Sequence, residues 1–262
     1  MIKIALAQMD VKWAEPEANL VTARRMVGQA AGEGADLVVL PELWGSAYDL
    51  AHAANYAASL HAGLFGEMAA LAREHSLYVA GSLLEEDGGR FYNTCVLYGP
   101  QGLVGSYRKL HLIGLMEEDR YLAPGDRLTL CDGLPWGATG LAICYDLRFP
   151  EVFRTYAVGG ARLVIMPAQW PSPRIAHWQT LLRARAIENQ CVIVACNRVG
   201  ADPNNTFSGA SAVIGPGGEV LVEGGDQQAL LMARVDMAAV DEVRVFLPVF
   251  RDRRPGCYTL AR

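Results

Sequence analysis

Short unbroken apolar runs along this chain alternate with longer stretches in which apolar residues return every third or fourth position. Ile2 to Met9 is a β-prone run. From Asn19 to Ala31, Leu20, Ala23, Val27 and Ala30 keep helical spacing until Gly32 and Gly34 end it. The expected order is strand, then helix. The run from Asp36 to Leu40, closed by Pro41, suits a strand buried on both faces; a helix is expected over Leu64 to His75 and a strand over Leu77 to Leu83. Thr94 to Tyr98 and Leu103 to Lys109 flank the turn GPQG at Gly99 to Gly102, which predicts a hairpin.

The second half repeats this order. Gly140 to Cys144 reads as a strand, Glu151 to Val158 as a helix, Arg162 to Met166 as a strand, Ile175 to Asn189 as a helix and Cys191 to Cys196 as a strand. A hairpin follows, Ala210 to Ile214 and Glu219 to Glu223 across GPGG at Gly215 to Gly218. GADLVVLPELW, starting at Gly34, and GARLVIMPAQW, starting at Gly160, agree at six of eleven positions, yet the first carries Glu42 where the second carries Ala168. Two such units, about 1–110 and 138–225, predict a single domain with an internal pseudo-repeat and a C-terminal tail. The fold class is α/β: a four-layer αββα sandwich of two mixed β-sheets with helices on the outer faces, because strands apolar on both sides need cover on both. The alternative is a three-layer α/β protein whose βα segments are alike only because buried strands draw on the same residues.

Composition narrows the picture mainly by exclusion. A chain of 262 residues with 52% hydrophobic content is long enough to bury one large core. A net charge of −5 and no Lys/Arg run longer than two argue against nucleic acid and against a membrane surface. No stretch approaches the ~20 apolar residues of a membrane span, and the N-terminus reads as a strand, so the expected location is cytoplasmic. Cys95, Cys131, Cys144, Cys191, Cys196 and Cys257 show no CxxC spacing, which fits buried thiols in a reducing compartment better than zinc or redox pairs.

Ligand sites in α/β folds gather beyond the carboxyl ends of strands, and three reactive side chains stand there. Glu42 follows LVVLP, Lys109 follows LVGSYR, and Cys144 follows TGLAI and opens CYDLRFPE. A thiol becomes a good nucleophile once its proton is removed, and a glutamate in a partly buried pocket can take that proton and later return it to a leaving amine. An ammonium favours thiolate and stabilises an oxyanion, as does the backbone N–H of Tyr145 beside the cysteine. Singly, each residue has a bland alternative: core packing for Cys144, a cap for Glu42, surface charge for Lys109. Their joint appearance at equivalent places favours chemistry.

At these motifs the chain resembles the nitrilase, or carbon-nitrogen hydrolase, superfamily. The resemblance runs through IALAQMD, GADLVVLPE, YRKLHL, ICYDLRFPE, MPAQWP, RARAIENQ and SGASAVIGPGGEVL, nearly the whole chain. It implies Glu42 as general base, Lys109 as oxyanion-stabilising lysine and Cys144 as nucleophile, with subunits pairing through helices beside the catalytic centre as a homodimer or higher homo-oligomer. It also implies a second glutamate seven residues before the glycine of the PGD turn. Counting back from Gly125 reaches Glu118; Glu117 beside it is equally acidic. The implied reaction takes an amide and water through a thioester to an acid and ammonia, and gives no metal or organic cofactor a task.

The segments YRKLHLIGLMEEDRYLAPGD, CYDLRFPE and AQWPSPRIAHWQTLLRARAIENQ look most like the ω-amidase branch, which acts on 2-oxo acid amides such as 2-oxoglutaramate; several relatives have Glu where this chain has Gln169. N-carbamoyl hydrolase, aliphatic amidase and nitrilase activities share the same triad. A substrate carboxylate far from its amide needs cationic partners, for which Arg148, Arg174 and His177 are the candidates, with Trp170 and Tyr145 as pocket walls. Arg148 has an alternative in an ion pair with Asp146 or Glu151. Two different readings stay open: a non-catalytic nitrilase-like binding module, and a Cys-His hydrolase using His111 or His177, which leaves the Glu and Lys motifs unexplained.

Overall fold

The computed structural model describes residues 1–258. In the first half β1 (Ile2–Gln8), α1 (Pro16–Gly32), β2 (Leu37–Val39), α2 (Gly63–Glu74) and β3 (Tyr78–Asp87) lead into β4 (Arg90–Gly99) and β5 (Gly102–Arg108). After α3 (Glu118–Tyr121) and β6 (Leu130–Cys131), the second half runs β7 (Thr139–Leu141), α4 (Pro150–Val158), β8 (Leu163–Ala168), α5 (Ile175–Asn189) and β9 (Val192–Asn197). There follow β10 (Val199–Ala201), β11 (Thr206–Ser208), β12 (Ala212–Ile214), β13 (Val220–Glu223), β14 (Ala229–Val235), α6 (Ala238–Phe246) and α7 (Val249–Asp252).

Two six-stranded mixed sheets form, in the orders β14-β1-β2-β3-β4-β5 and β13-β12-β9-β8-β7-β6. From β1 to β5 the successive pairings are parallel, parallel, antiparallel, antiparallel, and the series β7-β8-β9-β12-β13 has the same succession. The sixth strands are exchanged. β6, which follows the first unit in sequence, pairs antiparallel with β7, and β14, which follows the second, pairs antiparallel with β1.

Side-chain alternation explains the layers. In β1, Ile2, Ile4 and Leu6 point into the core shared with the second sheet, while Ala5 and Ala7 pack with Met26 and Val27 of α1 and Met68 and Leu71 of α2. β2 divides likewise, Leu37 and Val39 to one side and Val38 to the other. On the far side Trp178, Leu182 and Ala186, one helical face of α5, cover the second sheet. Two helical layers around two facing sheets make the αββα sandwich, so the three-layer alternative is set aside.

Some local expectations need correction. The strand expected over Gly140 to Cys144 ends at Leu141, because Cys144 takes a positive φ of 43° and opens a 3-10 turn. The hairpin strand expected from Ala210 begins at Ala212, since Gly209 and Ala210 both have positive φ. α1 starts at Pro16, a residue preorganised for a first helical turn. The last four residues of the expected tail lie outside the described residues. Among the described residues, no helix is long and apolar enough to cross a membrane.

Candidate active site

Glu42 stands just past β2. Its backbone N–H faces the Ala168 carbonyl at 3.4 Å, and the Gln169 N–H donates to Glu42 Oε2 at 2.8 Å, so the two similar segments meet head to head. The Gln169 side chain adds a bond from Nε2 to the Glu42 carbonyl at 2.7 Å and accepts from Arg198 Nη1 at 3.1 Å.

Lys109 follows β5 and is clamped at both backbone groups. Its N–H donates to the Asn93 carbonyl at 2.9 Å and its carbonyl accepts from Gly125 at 2.8 Å. Gly125 is required there, because a Cβ would overlap the Arg108 carbonyl. The Lys109 Nζ reaches Glu42 Oε1 at 2.8 Å and Glu118 Oε1 at 2.7 Å, and all three side chains are 0% exposed. Glu118 Oε2 accepts the Ile113 N–H at 2.8 Å, whereas Glu117 is exposed.

Cys144 is buried in the turn that starts at its own residue. Its left-handed backbone is uncommon for a side chain with a Cβ and is held by Asp146. That carboxylate accepts Ile143 N–H at 2.9 Å, Tyr107 Oη–H at 2.8 Å and the His111 ring at 2.7 Å. The N–H of Tyr145 lies in the first turn, where no intrahelical acceptor exists, and is available to a ligand.

The thiol of Cys144 faces the Glu42 carboxylate and the Gln169 N–H that donates to it. Burial, and then the Glu42 charge, push the thiol well above its ordinary pKa, against the pull of Lys109. It is therefore protonated at rest. Burial works to lower the Lys109 pKa, but Glu118 and Glu42 outweigh it and hold the ammonium charged. Glu118 is raised by burial and by Glu42, with Lys109 opposing. Glu42 Oε1 already receives Lys109, Tyr48 and Asn93, each at 2.8 Å, while Oε2 receives Gln169. Oε2 thus keeps the lone pair suited to a thiol proton.

Beside the sulfur lies a cavity of ≈ 20 Å³, lined by Ile113, Met116, Tyr145, Arg148, Trp170 and Arg174 among others. That is room for a group the size of a water molecule. The Arg148 guanidinium lies 4.7 Å from the centre of the Trp170 ring, which is also buried in the core. The alternative for Arg148, an ion pair with Asp146 or Glu151, does not form; Asp146 is spent on its turn and Arg148 comes within 3.5 Å of His177 Nδ1. His177 is exposed on α5 and is not among the residues that line the cavity. His111 turns to Asp146 and stacks on Phe149 at 3.5 Å, so the Cys-His arrangement lacks its geometry.

Comparison with known proteins follows the same lines. The model of the family described as carbon-nitrogen hydrolase matches residues 3–245. The chain belongs to the carbon-nitrogen hydrolase family. A 2-oxoglutaramate amidase of Bacillus subtilis is 39% identical to this hydrolase over 259 residues, spanning 97% of this chain and 98% of that one. The omega-amidase NIT2 of Homo sapiens is 34% identical over 269 residues, spanning 98% and 97%. A CN-hydrolase superfamily protein of Xanthomonas campestris, solved with an arsenic adduct in its active site, superposes with a TM-score of 0.91 at 30% identity over 99% of each chain. An amidase from Nesterenkonia with acrylamide added at its active-site cysteine superposes with a TM-score of 0.83 at 27% identity, covering 96% of this chain and 99% of that one. As a carbon-nitrogen hydrolase this chain is an enzyme acting on C–N bonds.

Tyr48 and Asn93 escaped the sequence reading of this hydrolase, and Gln169 appeared there only as a departure from relatives. Asn93 had a faint signal as a polar residue inside a buried strand; Tyr48, in a loop, had none.

Proposed function

We propose that this carbon-nitrogen hydrolase is an ω-amidase that hydrolyses the terminal amide of small 2-oxo acid amides such as 2-oxoglutaramate. The relatives named for that activity support the substrate class. The observation that carries the chemistry is Lys109 held between Glu42 and Glu118 in a buried cluster, with the buried Cys144 thiol facing Glu42.

Glu42 Oε2 takes the thiol proton as sulfur attacks the amide carbon, and the C–O π electrons move onto oxygen. Lys109 and the Tyr145 N–H stabilise that oxyanion. Glu42 returns its proton to nitrogen, the C–N bond breaks, and ammonia leaves a thioester on Cys144. Water, deprotonated by the same glutamate, then cleaves the thioester to the carboxylic acid and restores the thiol. Glu118 holds Lys109 and offers an acceptor to the amide N–H. Arg148 and Arg174, at the rim of the cavity, bind the distal carboxylate, with Trp170 as the wall beneath Arg148.

Two readings of setting go with this one. Buried free thiols at Cys95, Cys131, Cys191 and Cys196 fit a reducing, cytoplasmic compartment. Exposed apolar side chains at Val158, Ile187, Val245 and Phe246 on α4, α5 and α6 fit a homodimer or higher homo-oligomer, measurable by light scattering after size-exclusion chromatography.

Replacing Cys144 with Ala is expected to abolish ammonia release from 2-oxoglutaramate while circular dichroism and Tm stay close to wild type. Retained turnover would sink the nucleophile assignment. A parallel panel of nitrile, N-carbamoyl, aliphatic-amide and 2-oxo acid amide substrates tests the substrate class, which fails if the 2-oxo acid amides are not turned over fastest.

A further inference from the structure

The hydroxyl of Tyr48 lies within the buried charged cluster and has no part in the steps above. It is 2.8 Å from Glu42 Oε1, 3.1 Å from Glu118 Oε1 and 3.3 Å from Lys109 Nζ. A phenol has one proton to donate, so it serves one carboxylate at a time while its oxygen faces the lysine. The three N–H groups of Lys109 are directed at Glu42, Glu118 and this oxygen, and the last is the longest of the three contacts. An oxyanion at the substrate therefore draws its lysine donor most readily from Tyr48.

The backbone delivers this ring by force. Leu43 and Ala47 both hold left-handed φ, at 41° and 55°, and the Ala47 N–H closes the loop on the Leu43 carbonyl at 2.9 Å. Tyr48 also lines a cavity of ≈ 580 Å³ together with Asp49, Glu117 and Asp202.

We propose that Tyr48 is a positioning residue that sets the basicity of Glu42, sharing one hydroxyl proton between Glu42 and Glu118 and holding the third Lys109 N–H until a substrate oxygen claims it. This rests on the reading of Glu42 as the general base. Two carboxylates and one ammonium leave a net negative cluster, which by itself favours uptake of a proton by one carboxylate and loss of the base. A phenol donor stabilises the ionised form and opposes that uptake. The groups facing Glu42 are Lys109 beyond β5, Glu118 on α3, Cys144 in its turn, Tyr48 in its own loop, and the neutral donors Asn93 and Gln169.

The test is kcat/KM for ammonia release against pH, whose acid limb reports the free enzyme's base. Tyr48→Phe keeps the ring and removes the donor; the acid limb is expected to move up by about one pH unit. Incorporation of 3-fluorotyrosine at position 48 makes a stronger donor and is expected to move the limb down, a measurement that stands even if the Phe variant folds poorly. A limb that stays in place in the fluorotyrosine enzyme, or moves down in Tyr48→Phe, overturns the proposal, whatever happens to kcat. If Glu42→Gln keeps the wild-type acid limb, the base assignment fails instead, and that result is separable from the other two.

Discussion

A buried thiol beside a carboxylate is a poor nucleophile until the carboxylate acts. Burial and the negative charge of Glu42 raise the Cys144 pKa, and the attraction of Lys109 does not cancel them. In the mechanism we propose, the thiolate is made during reaction by proton transfer to Glu42. Glu42→Gln, which keeps the shape and removes the basicity, is expected to lower kcat/KM by roughly 10²–10⁴-fold. Alkylation of Cys144 by iodoacetamide, followed by mass spectrometry, should slow with it; alkylation at the wild-type rate would mean that the thiol ionises unaided. Arg148 has a different kind of effect. Having no carboxylate partner in Asp146, it is available to a substrate anion, and Arg148→Met is expected to raise KM for 2-oxoglutaramate by about 10–100-fold, the worth of one hydrogen bond to a charged group. A neutral aliphatic amide should show no such loss.

Among the elements, helices and long strands were readable because burial repeats along them: the expected limits of α5 are the observed ones, and α2 differs by one residue at each end. The strand expected over Gly140 to Cys144 runs past the observed end at Leu141, because Thr139 to Ile143 looks like continuing strand, and what stops it is a side chain from further on. Asp146 takes the Ile143 N–H that a strand would use and ties the turn to Tyr107 and His111 on the lysine's segment. Asp146→Ala leaves those donors without an acceptor in a dry site. The expected cost is about 3 kcal/mol, or roughly 6–12 °C in Tm for a domain of this size, together with a fall in kcat. Thermal melts and kinetics on the same preparation check it, and an unchanged Tm would show that the turn holds itself. β14 escaped because its role is to pair with β1, more than two hundred residues earlier.

The whole molecule assembles one site from two similar halves. The first brings Glu42 and Lys109, the second Cys144 and the Gln169 N–H, and each sheet is completed by a strand that follows the other unit. The shared succession of parallel and antiparallel pairings supports our reading of the chain as a pseudo-repeat. Neither half then closes its own sheet. Fragments 1–132 and 133–262, separated at the exposed turn of Gly133, are expected to be inactive alone and to recover ammonia release when folded together. Activity in a single fragment would contradict a shared site.

The sequence by itself determined the layers and the reacting residue types, because burial periodicity is local and the acid, lysine and cysteine each follow a run of apolar strand. It also limited the acid to one copy, since Ala168 replaces it in the second segment. Tertiary structure decided which oxygen of Glu42 accepts fewer hydrogen bonds, that Glu118 rather than Glu117 is buried, and that Tyr48 and Asn93 join the cluster. Those outcomes depend on one hydrogen-bonded cluster that joins groups from separate segments, such as Tyr48 with Glu118 and Asn93 with Glu42. Spacing from the PGD turn already pointed to Glu118, but short-range patterning says nothing of the Glu42 oxygens, Tyr48 or Asn93; the packing of the two sheets does.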